Sequence, residues 1–194
     1  LSITKIELLI DHQSKYNIAL IRIKIAMGST PKNHTSDQAL AARVAHCLHE
    51  KGLTLATAES CTGGGISALL SSLAGSSNWF NGAIVSYSNE AKTNLLKVPQ
   101  QLIQTYGAVS EEVVVQMSIG GCRALAADAC IAVSGIAGPT GAAPGKPIGT
   151  VWTAWCCQGE TKAARYQIPG AREEVQATAV KLALEGLMSS FFSN

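Results

Sequence analysis

The sequence lacks a block of charge of either sign, and this absence limits the partners that it can have. Its 194 residues include 15 basic and 13 acidic side chains, which give a formal net charge of +2. Because these charges are spread along the chain, the sequence has no electrostatic footprint for a nucleic acid. The length and the 47% hydrophobic content suit one domain with a full core.

The cysteines lack the spacing of a metal site. Six occur, yet none forms a Cys-x-x-Cys pair, and Cys156 and Cys157 are simply adjacent. We therefore expect no metal and no cofactor. Isolated cysteines are typical of buried, reduced thiols, which indicates a cytoplasmic protein.

The first 35 residues lack a long hydrophobic run. Charged residues interrupt every apolar stretch between positions 1 and 26, so neither a secretory signal nor a membrane span is predicted. Ala19–Ile25 alternates apolar and charged residues like a short strand, and residues 28–37 are typical of a linker. Our hypothesis is that residues 1–35 are an extension or linker outside the core and that residues 36–194 form the domain. A large loss of thermal stability after removal of the extension would refute it.

A histidine beside a candidate hydroxyl nucleophile is also missing. His46 and His49 lie on the first predicted helix, and His12 and His34 lie in the extension. This placement disfavours a Ser-His-Asp triad. Any serine chemistry would need a lysine or a tyrosine as the proton carrier.

What the sequence does contain is an alternation of strand-like and helix-like segments. Helices are predicted after the capping residues Ser36 and Ser110, and strands where β-formers cluster. This alternation favours an α/β fold, a three-layer α/β/α sandwich whose sheet is mixed but mostly parallel because the chain ends in a hairpin and a helix. The predicted strands are 53–58, 80–87, 128–134, 151–157 and 163–168, and the predicted helices are 36–51, 62–72, 89–96, 110–127 and 172–191.

The segment AESCTGGG, residues 58–65, is the most informative motif. It joins a predicted strand to a predicted helix, where backbone N–H groups and hydroxyls gather. It lacks the lysine of a P-loop, the flanking glycines of a nucleophile elbow and the lysine of a Ser-x-x-Lys motif. Ser60 therefore fits a helix N-cap, a nucleophile beside an oxyanion hole, or part of a phosphate cradle.

Two further loops follow predicted strands of the same sheet. One carries Tyr87, Asn89 and Lys92, and the other carries Ser134 and Gly135. Because parallel strands end at one edge of a sheet, we expect these loops to converge with the Ser60 turn.

Lys92 and Arg172 each have a plain and a functional interpretation. A lysine on a surface helix is usually just solvated, whereas one in a partly desolvated cleft could lose its proton and serve as a base for a serine. Arg172 begins the last predicted helix, where a cation opposes the helix dipole. This position is a hint of function, although an exposed arginine there costs little.

Six segments occur in a characteristic order along the chain: AESCTGGG at 58–65, GSSNWFNGAIVSYSNEAK at 75–92, GAVSEEVV at 107–114, VSGIAGPTG at 133–141, KPIGTVW at 146–152 and IPGAR at 168–172. Taken together, they resemble the CinA C-terminal-domain family, which includes the stand-alone nicotinamide-nucleotide amidases. The similarity spans about residues 36–192. It implies an anticodon-binding-type three-layer α/β/α domain with a mixed sheet.

The resemblance implies hydrolysis of the carboxamide of nicotinamide mononucleotide to nicotinic acid mononucleotide and ammonia, in NAD recycling. Ser60 would be the nucleophile and Lys92 its proton acceptor, assisted by Tyr87. Backbone N–H groups at 62–64 would hold an oxyanion or phosphate, and Arg172 would contact the phosphate. The residues implied in substrate binding are Thr62, Gly63, Gly64, Asn89, Ser134, Gly135 and Arg172.

Two other functions stay open at this point. The same serine would also suit hydrolysis of a different amide or an ester, and the domain would also suit a non-catalytic binding role. The expected partner is a small-molecule nucleotide, with no nucleic acid and no membrane, and a homodimer stays open.

Overall fold

The computed structural model describes residues 3–10, 19–25 and 36–192. The chain divides into two compact units, Leu1–Asn33 and His34–Asn194. In the first unit, β1 (Ile3–Ile10) pairs antiparallel with β2 (Ala19–Ile25), so the alternating segment forms the strand that its pattern predicts. Most of the predicted linker (28–35), His12 and His34 lie outside the described residues.

The second unit is built on a five-stranded sheet with the order β4-β3-β5-β6-β7. Strand β3 is parallel to β4 and to the central strand β5, whereas β6 is antiparallel to β5 and β7. Four of the five strands therefore point the same way, which confirms a mixed, mostly parallel sheet. The strands are β3 (Leu55–Glu59), β4 (Phe80–Val85), β5 (Ala129–Gly135), β6 (Thr150–Cys157) and β7 (Glu160–Gln167).

Helices cover both faces of this sheet and complete the predicted three layers. The helices are α1 (Ser36–Lys51), α2 (Gly65–Ser71), α3 (Asn89–Leu96), α4 (Gln100–Tyr106), α5 (Glu111–Ala124) and α6 (Arg172–Leu187). Alternate residues of β3 face opposite layers: Leu55 packs with α1, α2 and α6, and Ala56 packs with α3, α4 and α5.

The structure differs from the sequence-based assignment at the start of α2 and around Pro99. Helix α2 begins at Gly65 and not at Thr62, because Gly63 and Gly64 have left-handed backbone with φ of 61° and 97°. Pro99 directly precedes α4, a helix that is absent from the sequence-based assignment. A proline before the first helical turn is favourable because its missing N–H would have no partner there.

Close packing of α5 against α3 fixes the position of the helix that carries Lys92. Gly120 of α5 has no side chain, and an ideal Cβ there would lie 2.0 Å from the carbonyl oxygen of Leu96, the last residue of α3. Only glycine permits this approach. No helix in the described part of the chain has both the length and the apolar character to cross a membrane.

Candidate active site

The side chains of Ser60 and Lys92 meet at the carboxyl edge of the sheet. Ser60 follows β3 directly, and Lys92 lies on α3, which follows β4. The distance from Lys92 Nζ to Ser60 Oγ is 3.0 Å. Lys92 Nζ also donates to the main-chain oxygen of Ser86 at 2.7 Å. A lysine and a serine 32 positions apart are thus brought into hydrogen-bond contact.

Lys92 is buried, which is unusual for a lysine on a short helix. Ser88 caps α3 by accepting from the N–H of Ala91 at 3.0 Å, and this cap sets the direction in which the helix begins. The Lys92 side chain is only 1% exposed. Desolvation by burial lowers the pKa of Lys92 to about 8. A lysine with such a pKa holds a usable fraction of neutral amine near neutral pH.

The turn around Ser60 is organised by the carboxylate of Glu59. This fully buried group accepts from the hydroxyl of Thr62 at 2.8 Å and from the N–H groups of Ile66 and Ser67 at 3.1 and 2.8 Å. The last two are N–H groups at the start of α2 that have no partner within the helix. The anion-attracting helix end predicted from AESCTGGG is therefore occupied by the protein's own carboxylate.

This arrangement departs from the expectation for residues 62–64. The hydroxyl of Thr62 is engaged with Glu59, and the N–H of Gly63 donates to the main-chain oxygen of Ser60 at 3.0 Å. Neither Thr62, Gly63 nor Gly64 lines the cavity at Ser60. Gly63 and Gly64 shape the turn through their left-handed backbone, and the N–H of Gly65 donates to the main-chain oxygen of Thr62 at 3.0 Å.

The cavity beside Ser60 has a volume of about 200 Å³. It brings together seven of the predicted site residues. Its wall also includes Cys61, Ala108, Val109 and Ala137, which were not predicted. The predicted residues at the wall are Ser60, Tyr87, Asn89, Lys92, Ser134, Gly135 and Arg172.

Arg172 and Tyr87 are joined across the mouth of this cavity. Arg172 Nη2 donates to the hydroxyl of Tyr87, and Nη1 donates to the carbonyl of Gly138, both at 2.8 Å. Tyr87 is 61% exposed, so its ring stands at the opening. The guanidinium is thereby fixed in orientation beside the cavity, where it can bind an anion in a bidentate manner.

Ser134 and Cys61 are held inside the cavity by their surroundings. The hydroxyl of Ser134 donates to the carbonyl of Ala108 at 2.8 Å, which ties the end of β5 to the loop before α5. Gln176 Nε2 donates to the main-chain oxygen of Cys61 at 2.7 Å. Burial raises the pKa of the Cys61 thiol to about 12, so this thiol stays protonated.

Sequence reasoning missed three groups that hold the site together: the Glu59 carboxylate, the Ser86 carbonyl and the Gln176 amide. A charged residue within the apolar run before Ser60 was the available signal for Glu59, since buried carboxylates need several hydrogen bonds. The other two act through main-chain contacts that no residue pattern reports. Among the described residues, no cluster of three or more ligating side chains could hold a metal ion.

These features define an α/β sandwich with a serine-lysine pair at the carboxyl edge of its sheet. Residues 37–191 match the CinA C-terminal domain model, and the chain belongs to this family, as its motifs indicated.

Curated relatives and a solved structure agree with this assignment. A protein of Escherichia coli K12 named nicotinamide-nucleotide amidohydrolase PncC is 43% identical over 156 residues, which cover 80% of this chain and 94% of the relative. A protein of the same name from Pseudomonas putida is 46% identical over 149 residues, covering 77% and 93%. The crystal structure of competence damage-inducible protein A from Klebsiella pneumoniae matches with a TM-score of 0.79 and 40% identity, covering 82% of this chain and all of that one.

Proposed function

We propose that this protein hydrolyses the carboxamide of nicotinamide mononucleotide, giving nicotinic acid mononucleotide and ammonia for NAD recycling. The observation that carries the proposal is the 3.0 Å contact between Lys92 Nζ and Ser60 Oγ inside a cavity that also presents Arg172. The proposal is supported by the two amidohydrolase relatives, whose matched regions span most of both chains.

Acylation of Ser60 is the first chemical step. Neutral Lys92 accepts the hydroxyl proton while Ser60 Oγ bonds to the carboxamide carbon, which gives a tetrahedral intermediate. The lysine ammonium then returns this proton to the departing nitrogen, the C–N bond breaks and ammonia leaves. The nicotinoyl group remains on Ser60 as an ester.

In deacylation, Lys92 again accepts a proton from the nucleophile and returns one to the leaving group. Water attacks the ester carbon, its proton passes to Lys92, and the lysine returns a proton to Ser60 Oγ as the ester bond breaks. The lowered pKa of Lys92, about 8, suits a group that must take up and release a proton in each half-reaction.

Substrate orientation is proposed to come from Arg172 and Tyr87. A guanidinium binds phosphate strongly because it donates two parallel hydrogen bonds. Since the Tyr87 oxygen already accepts from Arg172, its own O–H proton can be donated to the reacting amide. Asn89, Ser134 and Gly135 then line the space between these groups and Ser60.

Ammonia release from nicotinamide mononucleotide tests this proposal. Ser60→Ala and Lys92→Ala should each lower kcat by at least about 10³-fold. The matched controls, Ser71→Ala and Lys181→Ala, remove an exposed serine and an exposed lysine on neighbouring helices and should retain wild-type rates. Activity that survives in Ser60→Ala would remove the proposed nucleophile.

Substrate choice separates the remaining alternatives. We expect the mononucleotide to be cleaved far faster than nicotinamide riboside or free nicotinamide, because only the mononucleotide carries the phosphate. Comparable rates on all three would indicate a different amide substrate, and no ammonia from any would favour a binding role. A cytoplasmic location is part of the proposal, supported by the six free cysteines.

A further inference from the structure

The Glu59 carboxylate makes more hydrogen bonds than a simple helix cap would need. Oε1 accepts from Ser67 N–H at 2.8 Å and from the Thr57 hydroxyl at 3.2 Å. Oε2 accepts from the Thr62 hydroxyl at 2.8 Å and from Ile66 N–H at 3.1 Å. Each carboxylate oxygen thus accepts from one backbone N–H and one hydroxyl. Among the described residues, no lysine or arginine forms an ion pair with it.

The main chain of Glu59 links the ends of β3 and β4, the two strands that lead to the reacting groups. Its carbonyl accepts from the N–H of Ser86 at 2.8 Å, and the carbonyl of Ser86 accepts from Lys92 Nζ at 2.7 Å. Lys92 Nζ in turn contacts Ser60 Oγ, and Ser60 is bonded covalently to Glu59. These contacts form a closed ring through Ser60, Glu59, Ser86 and Lys92.

Resting on the proposed function, we infer that Glu59 is a positioning residue: its carboxylate fixes the turn that holds Ser60 Oγ against Lys92 Nζ. The carboxylate anchors the turn at Thr62 and at two backbone N–H groups on one side of Ser60. The ring through Ser86 anchors it on the other side. Without the carboxylate, the Thr62 hydroxyl and the two N–H groups at the start of α2 lose their acceptor, and the Ser60 hydroxyl can move away from the lysine.

Glu59→Gln is the variant that tests this role, because the amide keeps the size but places an N–H₂ group against a donor. The test uses kcat and KM for ammonia release, together with the rate at which phenylmethanesulfonyl fluoride labels Ser60. In the labelling reaction, a Ser60 Oγ–S bond forms, the S–F bond breaks, fluoride leaves and the hydroxyl proton passes to Lys92. Mass spectrometry of the peptide that contains Ser60 measures the product.

We expect Glu59→Gln to lower both kcat and the labelling rate by about tenfold or more, with KM changed by less than about threefold. Labelling at the wild-type rate would overturn the inference. The control Ile66→Val trims a buried side chain of α2 but keeps its N–H bond to Glu59, and it should label like the wild type. If Ile66→Val slowed labelling equally, the inference would also be overturned, because general destabilisation would then explain the slower labelling of Glu59→Gln.

The pH dependence of labelling separates positioning from loosening of the site. If Glu59 acts by positioning, the labelling rate of Glu59→Gln should reach a lower plateau at high pH. The midpoint of its rise should stay near pH 8, because burial sets the pKa of Lys92. A midpoint moved up toward the usual lysine value would mean that water had entered, which would overturn the inference.

Two further outcomes are distinguishable. If Glu59→Gln does not fold, Thr62→Val keeps the carboxylate and removes one of its bonds, and wild-type labelling in that variant would overturn the inference. A wild-type protein that labels at Ser60 but releases no ammonia from nicotinamide mononucleotide would refute the proposed substrate, and the labelling rates would still decide the role of Glu59. If the wild-type protein were not labelled at Ser60 at pH 9, both the proposed function and the positioning role of Glu59 would be contradicted.

Discussion

Helices α2 and α6 both begin next to the cavity, and their N-terminal ends are used differently. At α2, the buried Glu59 carboxylate takes the N–H groups of Ile66 and Ser67. At α6, the exposed Glu174 takes the N–H of Ala171 at 2.7 Å, while Arg172 directs its guanidinium to Tyr87 and Gly138. In both places the protein supplies its own anion to a helix end. Under the proposed function, the phosphate of the substrate is bound by the Arg172 side chain.

Replacing the buried carboxylate of Glu59 should have the largest effect on stability. Glu59→Ala leaves two backbone N–H groups and two hydroxyls without their acceptor in a buried place, and we expect a loss of about 3 kcal/mol or more in the free energy of unfolding. Urea denaturation with an unchanged m-value measures this loss. A loss below about 1 kcal/mol would show that the turn repacks or admits water freely.

Replacing the arginine should affect binding instead of stability. Arg172→Gln removes a charged donor, and we expect kcat/KM for nicotinamide mononucleotide to fall roughly 10- to 150-fold, mostly through KM. Steady-state ammonia release measures the change. With nicotinamide riboside, which has no phosphate, the fall should be much smaller. An equal fall on both substrates would place the phosphate elsewhere.

The pH profile of ammonia release should follow the titration of Lys92. A base must be neutral to accept the Ser60 proton, and the pKa of Lys92 is lowered to about 8. Between pH 7 and pH 9 the neutral fraction, and with it kcat/KM, should rise roughly tenfold. The profile of Glu174→Ala should match that of the wild type because Glu174 lies outside the buried network. A flat profile over this range would rule out Lys92 as the base.

Removing the exposed carboxylate should have the smallest effect. Glu174→Ala removes one hydrogen bond to an exposed N–H, and we expect a loss of about 0.5 to 1 kcal/mol in the free energy of unfolding, since water can replace it. The same urea measurement applies. If this loss equalled that of Glu59→Ala, burial would not explain why the carboxylate at the start of α2 stabilises the protein more than the one at the start of α6.

The fold and most of the cavity wall could be predicted because they depend on periodicity and topology. Helices between successive strands make those strands parallel, so the loops after β3, β4 and β5 had to meet at one edge. This reasoning placed Ser60, Lys92 and Ser134 on neighbouring loops before any distance was known. The mixed sheet followed in the same way from the C-terminal hairpin.

The direction of hydrogen bonds could not be predicted in this way. The motif AESCTGGG shows that N–H groups gather after Ser60, but the Glu59 side chain could point either to the core or into the turn. In the structure the Glu59 side chain points into the turn, where it accepts from the Thr62 hydroxyl, and residues 62–64 do not line the cavity. Helix α4 was missed because it begins only four residues after α3 ends at Leu96, and a proline between two short segments shows only an interruption in a residue pattern.

Cys61 sits at the cavity wall next to Ser60, so the site contains two side chains that can attack electrophiles. Burial keeps the thiol protonated, with a pKa of about 12, whereas the serine has a basic lysine at hand. Since alkylating agents and peroxides react with thiolates, the cavity should tolerate oxidising conditions that inactivate cysteine-dependent enzymes. The order of reactivity in free amino acids, in which cysteine exceeds serine, is thus reversed by where each side chain is placed.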